Sequence, residues 1–263
     1  MFFNDLYLLF LAVDYKCRPP DVHIHLNKTH RKVARITAVD MFVIIGEVTA
    51  HCNSSSSLLL LSWERSKVNK ETGAFAVGPS LDKFRGSKNL TIEPRTLSPG
   101  LYYFRLVAEM TEEEGAINSD FGFLEVVLPD IVAKIRGENI AVKGTGKIIL
   151  DASDSYDPYE KNMKDQGLVF TWLCRREEED FSNVQLLPID QSNGRDKVLG
   201  GCFGYGVGAL NTTEPTIEID ISGMISQSSY VFKVIVQKDN RSSSANHSLL
   251  IASSISFAIR WVI

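Results

Sequence analysis

One apolar pattern occurs twice in the 263-residue chain, and it limits the fold more than any other sequence feature. In the first half, an alternating apolar run at residues 90–92 precedes a second run at 102–106. In the second half, alternating runs at 217–221 and 230–236 follow the same order. Alternation with a period of two indicates half-buried β-strands rather than helices. The sequence therefore predicts two diverged copies of one all-β unit.

Each copy also places a tryptophan on a strand with alternating apolar residues. Leu61 would share a strand face with Trp63, and Phe170 and Cys174 would share one with Trp172. No amphipathic helix of ten or more residues stands out in the sequence. A unit of about 110 residues with a core tryptophan is typical of Ig-like domains. We therefore predict an all-β chain made of tandem Ig-like or fibronectin-III-like β-sandwiches.

Composition changes along the chain give the domain boundaries. The first sandwich is predicted at 17–128 and the second at 130–252, because Pro129 and Asp130 interrupt the strand pattern. Residues 1–16 are apolar but lack a basic segment before the apolar run, so a cleaved signal, a first strand and the leader of a fragment all remain open. Residues 253–263 form a short apolar tail.

The chain carries more Asn-x-Ser/Thr sequons than composition explains: six, where about two would arise by chance. Such sequons accept N-glycans on the exposed surfaces of secreted proteins. The excess predicts an extracellular chain, secreted or part of the ectodomain of a membrane protein. The alternative is a cytosolic chain with chance sequons. The predicted glycosylation sites are Asn27, Asn53, Asn89, Asn211, Asn240 and Asn246.

The four cysteines point to the same compartment. Their number is even and no Cys-x-x-Cys pair occurs, which favours structural disulfides. Four cysteines allow three pairings. We expect Cys17–Cys52 and Cys174–Cys202, because pairing within each predicted unit keeps each unit self-contained.

Composition and motifs exclude several classes of function. The net charge of −4, without a basic block, argues against binding to nucleic acid or to an anionic membrane. No uncharged apolar stretch of about 20 residues occurs in the sequence. The glycines at 144–146 lack the spacing of a phosphate-binding loop, and no Gly-x-Ser-x-Gly motif is present. We therefore expect a protein that is not an enzyme and has no cofactor.

Two groups of side chains are candidate metal ligands. Three acidic residues in one strand-to-turn segment could supply oxygens to calcium, but the EF-hand spacing is absent and we expect these side chains to cap their own turn. Three histidines near the first strands are too few and too exposed for the convergent ligands that zinc needs. No metal site is therefore predicted. The residues concerned are Asp151, Asp154, Asp157, His23, His25 and His51.

The second half resembles a known family. The sequence Leu-Asp-Ala-Ser-Asp-Ser-Tyr-Asp-Pro at 150–158, followed by Phe170-x-Trp172-x-Cys174, is similar to the PKD-like repeats of the REJ (receptor for egg jelly) module. Ala152 departs from the glycine that is commoner in these repeats. Supporting motifs in the same order are Cys17-x-Pro19-Pro20, Cys52 before a Trp strand, Gly100-x-Tyr102-x-Phe104 and Gly200-Gly201-Cys202.

The resemblance implies PKD-type β-sandwiches at the cell surface, without enzymatic activity in the module, as part of a polycystin-like membrane receptor. Membrane attachment is then expected only through regions outside this chain. The expected function is protein or glycan recognition or mechanical spacing, with an extracellular protein or glycan as partner. The alternative is a carbohydrate-binding accessory domain of a secreted hydrolase, which neighbouring sequence would reveal.

Overall fold

The computed structural model divides the chain into two compact units, residues 1–128 (unit 1) and 129–263 (unit 2). Each unit is described by itself. The residues described are 17–31, 33–52, 58–78, 81–111, 116–137, 140–143, 145–162, 166–182, 186–189 and 200–253. The predicted leader at 1–16 and nearly all of the predicted tail at 253–263 lie outside these ranges.

Unit 1 is built from nine strands within its described residues, with a short 3-10 turn at Asp82–Phe84. The strands are β1 (Cys17–Ile24), β2 (Ala34–Thr37), β3 (Phe42–Ile44), β4 (Gly46–Cys52), β5 (Leu59–Val68), β6 (Phe75–Val77), β7 (Leu90–Ile92), β8 (Gly100–Met110) and β9 (Ile117–Val127).

The strands of unit 1 form one larger sheet and two strand pairs. The larger sheet has the order β2-β9-β8-β5-β6, and the pairs are β1–β4 and β3–β7. All pairings are antiparallel except β2–β9, which is parallel. Alternate residues of β8, such as Phe104 and Leu106, are buried together with Ile44 and Leu90 from the β3–β7 pair. The core therefore lies between the sheet and the strand pairs, as in a β-sandwich.

Unit 2 repeats this order in eight strands within its described residues. The strands are β10 (Ile140–Lys143), β11 (Lys147–Asp151), β12 (Val169–Arg176), β13 (Leu187–Pro188), β14 (Gly208–Ala209), β15 (Thr216–Asp220), β16 (Ser229–Lys238) and β17 (Arg241–Ala252). The larger sheet has the order β10-β17-β16-β12-β14-β13, and β11 pairs with β15. The strand β10 lies parallel to the last strand, β17, as β2 lies parallel to β9 in unit 1.

The two tryptophans occupy equivalent positions. Trp63 on β5 and Trp172 on β12 are both buried. The indole Nε1 of Trp63 donates to the Ser87 carbonyl at 3.1 Å, and that of Trp172 donates to the Glu214 carbonyl at 3.0 Å. Each acceptor lies just before the strand that pairs in the opposite layer, β7 or β15. The prediction of an all-β chain with tandem Ig-like sandwiches is confirmed.

A tyrosine near the start of β8 and of β16 binds the turn before its strand. Tyr102 Oη donates to the Ser98 carbonyl at 2.8 Å, and Tyr230 Oη accepts from the Ile225 amide at 2.8 Å. Both side chains are buried. This contact is the tyrosine corner of Ig-like domains, and it explains why the aligned sequence runs begin with tyrosine.

The cysteines of unit 2 are bonded as expected. A disulfide joins Cys174 on β12 to Cys202 in a 3-10 turn, and both residues are buried in the core. In unit 1 the backbone register places Cys17 directly opposite Cys52 on the antiparallel β1–β4 pair. Opposed Cα atoms in such a pair lie about 4.5–5.5 Å apart, within the range that a disulfide spans. The side chains of Cys17 and Cys52 lie outside the described part, so this pairing stays a prediction.

Removing the Tyr102 hydroxyl tests the corner contact. Tyr102→Phe should lower the free energy of unfolding of unit 1 by about 1 kcal/mol, because a partly buried hydrogen bond is lost without a change in core volume. Urea unfolding followed by tryptophan fluorescence measures this loss. The neighbouring Tyr103 points to the opposite face, so Tyr103→Phe is the matched control. Equal losses in the two variants would contradict the assignment.

Candidate functional site

Aromatic side chains gather on the outer face of the larger sheet of unit 1. On β8 Tyr102 faces the core, so Tyr103 faces outward. On β9 Gly122 faces inward, so Phe121 and Phe123 face outward beside Tyr103. We name the outward-facing set of Phe75, Tyr103, Phe121 and Phe123 the aromatic face.

The rings of the aromatic face contact one another across three strands. The centroid of the Tyr103 ring lies 5.2 Å from that of Phe75, 5.5 Å from that of Phe121 and 5.6 Å from that of Phe123. Phe75 is 54% exposed and Phe121 38% exposed. Adjacent exposed aromatic rings on a sheet are typical of an interaction surface, because water contact with them is unfavourable.

A cleft of about 640 Å³ adjoins this face, and we name it the basic cleft. Basic side chains surround a single carboxylate among its lining residues, and Phe75 and Phe123 form its aromatic wall. The charged groups and histidine of this lining are His30, Arg31, Arg35, Lys70 and Glu125.

Glu125 holds two of these cations in place. Its side chain is 11% exposed, Arg35 Nε donates to its Oε2 at 2.6 Å, and Lys70 Nζ donates to its Oε1. The Lys70 hydrogen bond, followed by the Arg35 contacts, holds the pKa of Glu125 below its ordinary value against the opposing effect of burial. Because one carboxylate offsets only one of three cations, the basic cleft retains positive charge while the chain as a whole is negative.

The corresponding face of unit 2 is different. Tyr102 pairs with Leu124 across β8–β9, and Tyr230 pairs with Leu249 across β16–β17, which aligns the two sheets residue by residue. In this alignment the three equivalent positions of unit 2 carry no aromatic ring, and one of them is a sequon asparagine. Tyr103, Phe121 and Phe123 correspond to Val231, Asn246 and Ser248.

The sequons lie where a glycan could be carried. Every predicted glycosylation site within the described residues has an exposed side chain, and Asn53 lies outside that part of the chain. The exposed sites are Asn27, Asn89, Asn211, Asn240 and Asn246.

The acidic residues of the 151–158 turn are engaged by arginine. Arg136 donates to Asp151 Oδ2 at 2.9 Å and, with two nitrogens, to both carboxylate oxygens of Asp154 at 2.7 Å. Asp151 Oδ1 accepts from the Ser153 amide at 2.9 Å, which caps the turn. These contacts use the oxygens that a calcium ion would need.

Asp157 lies apart from this group and is fully buried. Arg241 donates to its two oxygens at 3.0 and 2.7 Å, and Lys238 Nζ lies 3.3 Å away. The Arg241 hydrogen bonds are the main cause that lowers the pKa of Asp157 to about 2, against the opposing effect of burial. Arg241 also donates to the Pro129 carbonyl at 2.8 Å. The pair therefore anchors the start of unit 2 to its β16–β17 hairpin.

The three histidines do not converge on one point. His25 Nε2 lies 2.9 Å from Glu47, His51 Nε2 lies 2.6 Å from Asp21, and the His23 ring contacts that of His25 at 5.1 Å. Within the described residues, no group of three or more His, Cys, Asp or Glu side chains is arranged to hold a metal ion.

The sequence interpretation missed the aromatic face and the basic cleft. It did not consider which face of a strand Phe121 and Phe123 would share. This shared face was readable, since the two phenylalanines alternate with Gly122 and Leu124. Phe75 reaches the aromatic face because β6 pairs with β5, and only the three-dimensional structure shows this pairing.

The Asp157–Arg241 pair predicts a specific pH dependence. The pKa of Asp157 is lower in the folded state than in the unfolded state. The ion pair therefore stabilises unit 2 above pH 4 to 5, and this stabilisation is lost as the pH falls towards 2. Asp157→Asn should cost unit 2 about 2 kcal/mol at pH 7, and this difference should vanish near pH 2. Urea unfolding at several pH values measures it.

Asp239, 3.5 Å from the same guanidinium and 62% exposed on its side chain, supplies the control. Asp239→Asn should leave the pH dependence nearly unchanged, since an exposed ion pair contributes little. A cost for Asp157→Asn that stays constant from pH 7 to pH 2 would contradict the ion-pair account.

No helix in the described part of the chain is long and apolar enough to cross a membrane. No curated protein matched the sequence. Among solved structures, the N-terminal four Ig domains of Dscam1 isoform 4.44 share 13% identity, with 90% of this chain and 46% of that chain covered, at a TM-score of 0.29.

The three N-terminal domains of the bacteriophage RB49 outer capsid protein Hoc share 11% identity, with coverages of 90% and 70% and a TM-score of 0.28. The matched region is less than half of the Dscam1 structure, at 46% of its length. The model of the REJ domain family matches residues 19–259, nearly the whole chain. The chain therefore belongs to the REJ domain family.

Proposed function

We propose that the chain is a non-enzymatic extracellular module of a polycystin-like membrane receptor, and that unit 1 recognises a protein or glycan partner. The observation that carries this proposal is the aromatic face beside the basic cleft. Exposed rings supply apolar contact, and the Arg and Lys side chains supply directed hydrogen bonds. Interface hot spots combine these two properties.

Extracellular location is supported by two features of the surface and core. The sequon asparagines of the described residues are exposed, as glycan acceptors must be. Unit 2 contains a buried disulfide, Cys174–Cys202. Structural disulfides are common in proteins of oxidising compartments and rare in cytosolic proteins.

The electrostatics favour binding over catalysis. Two carboxylates near the aromatic face, Asp120 and Glu125, have pKa values below their ordinary values. General acid–base catalysis near neutral pH needs carboxyl pKa values raised towards 7. These groups stay charged and position Lys28, Arg35 and Lys70 instead.

Recognition is tested on two arrays, one of neutral and carboxylate-bearing glycans and one of purified ectodomains. The secreted chain should bind members of one array. Phe75→Ala and Arg35→Ala should each weaken that binding about tenfold or more, as expected for a hot spot. Lys147→Ala, an exposed cation on unit 2, is the control. Binding that is insensitive to both face variants, or no binding on either array, would contradict the proposal.

A mechanical role is a second candidate, supported by a different observation. In each unit an early strand lies parallel to the last strand, β2 with β9 and β10 with β17. Pulling on the ends of such a unit loads the parallel pair in shear, so its hydrogen bonds share the force instead of breaking one by one. This geometry suits a spacer under tension.

Single-molecule pulling tests this candidate through two adjacent prolines. Neighbouring N–H groups of a strand point in opposite directions, so only one of Ala141→Pro and Val142→Pro removes a donor from the β10–β17 pairing. That variant should lower the unfolding force of unit 2 more than the other. Equal forces in both variants and the parent chain would argue against a load-bearing pair.

A further inference from the structure

One sequon lies against the aromatic face. Asn27, in Asn27-Lys28-Thr29, forms an isolated antiparallel bridge with Phe123. The Phe123 amide donates to the Asn27 carbonyl at 2.9 Å. Asn27 is exposed.

The bridge sets the direction of the Asn27 side chain. Residues directly opposite in an antiparallel pair project to the same side of the sheet, with Cβ atoms about 4.5–5.5 Å apart. Phe123 projects outward, so Asn27 projects onto the border of the aromatic face. A sugar attached to the Asn27 amide nitrogen therefore starts beside Phe123 on the outer side of the sheet.

Close backbone approach makes this juxtaposition a fixed feature of unit 1. A Cβ atom on Gly122 would lie 2.4 Å from the Leu26 Cβ and 3.2 Å from the Asn27 carbonyl oxygen. Only glycine at this position lets the segment carrying Asn27 pack on β9. Leu26 is buried on the core side, which leaves its neighbour Asn27 on the outer side.

The neighbouring groups suit a sugar ring. The Phe121 and Phe123 ring centroids lie 6.2 Å apart with nearly perpendicular planes, forming an apolar corner. Lys28 Nζ lies 5.8 Å from the Phe121 centroid and donates to the Phe121 carbonyl at 2.7 Å. N-acetylglucosamine has an apolar C–H face that packs on aromatic rings of this kind.

We propose that the first N-acetylglucosamine of a glycan on Asn27 packs against Phe123 and Phe121. The glycan then covers this edge of the aromatic face, including the Phe123 side of the basic cleft, and leaves Phe75 and the charged groups of the cleft to the partner. The proposal rests on the extracellular location proposed above, because only a chain in the secretory pathway receives the sugar.

The test uses the full chain secreted from eukaryotic cells with ¹³C-labelled glycans, trimmed to one N-acetylglucosamine per site. Asn27→Gln identifies the NMR signals of the Asn27 sugar. Ring currents should shift these signals upfield from those of the sugar on Asn240, which lies in the β16–β17 turn. Phe123→Leu and Phe121→Leu should return them towards the Asn240 values. Phe75→Leu, at the far end of the face, should not.

The outcomes separate the two proposals. Asn27 signals that equal the Asn240 reference, or that ignore both Phe121→Leu and Phe123→Leu, overturn the packing and leave extracellular recognition standing. An unmodified Asn27 beside occupied sequons elsewhere has the same meaning. A secreted chain without a glycan at any sequon, or a chain retained in the cytosol, overturns the extracellular function itself.

Discussion

The hydrogen bond from the buried indole of each unit holds the two layers of its sandwich in register. Trp63 and Trp172 sit in the larger sheets, while their acceptors precede β7 and β15 in the opposite layers. A buried indole N–H loses its hydrogen bond to water, and this loss is unfavourable unless a protein acceptor replaces the water. Each tryptophan is therefore stable in the core only where a carbonyl of the opposite layer accepts from its Nε1. This one contact fixes which strand of each layer lies over the other, and the rest of the core packs around it.

The two units share this framework and differ at the outward-facing positions of their larger sheets. The core positions keep tyrosine, phenylalanine and aliphatic residues in both, but the outer positions diverge into aromatic rings in unit 1 and Val231, Asn246 and Ser248 in unit 2. A glycan on Asn246 would cover the centre of the unit 2 sheet. The sheet of unit 1 instead exposes aromatic rings, with a basic cleft beside them.

Local patterns predicted the scaffold, and cross-strand geometry supplied the site. Alternation identified β8 and β16, because one face of each is buried and the other is not. The capping of the turn by Asp151 was also predictable, since this hydrogen bond to the Ser153 amide joins residues that are close in the sequence. The short strands β6, β10, β13 and β14, which lie at or next to sheet edges, escaped prediction, because they are held by pairing with distant strands rather than by a pattern of their own. The aromatic face depends on such an edge strand for Phe75.

Hydroxyl-radical footprinting of the secreted chain tests most directly the claim that alternate aromatic residues build a core and a separate face. Mass spectrometry reads the oxidation of each side chain, and the urea-unfolded chain gives the intrinsic reactivity. Phe75 should be oxidised at a large fraction of its unfolded rate, because it is 54% exposed. Trp172, Tyr230 and Phe232 should be protected, because they are fully buried. Oxidation of Trp172 or Tyr230 as fast as that of Phe75 would contradict the account.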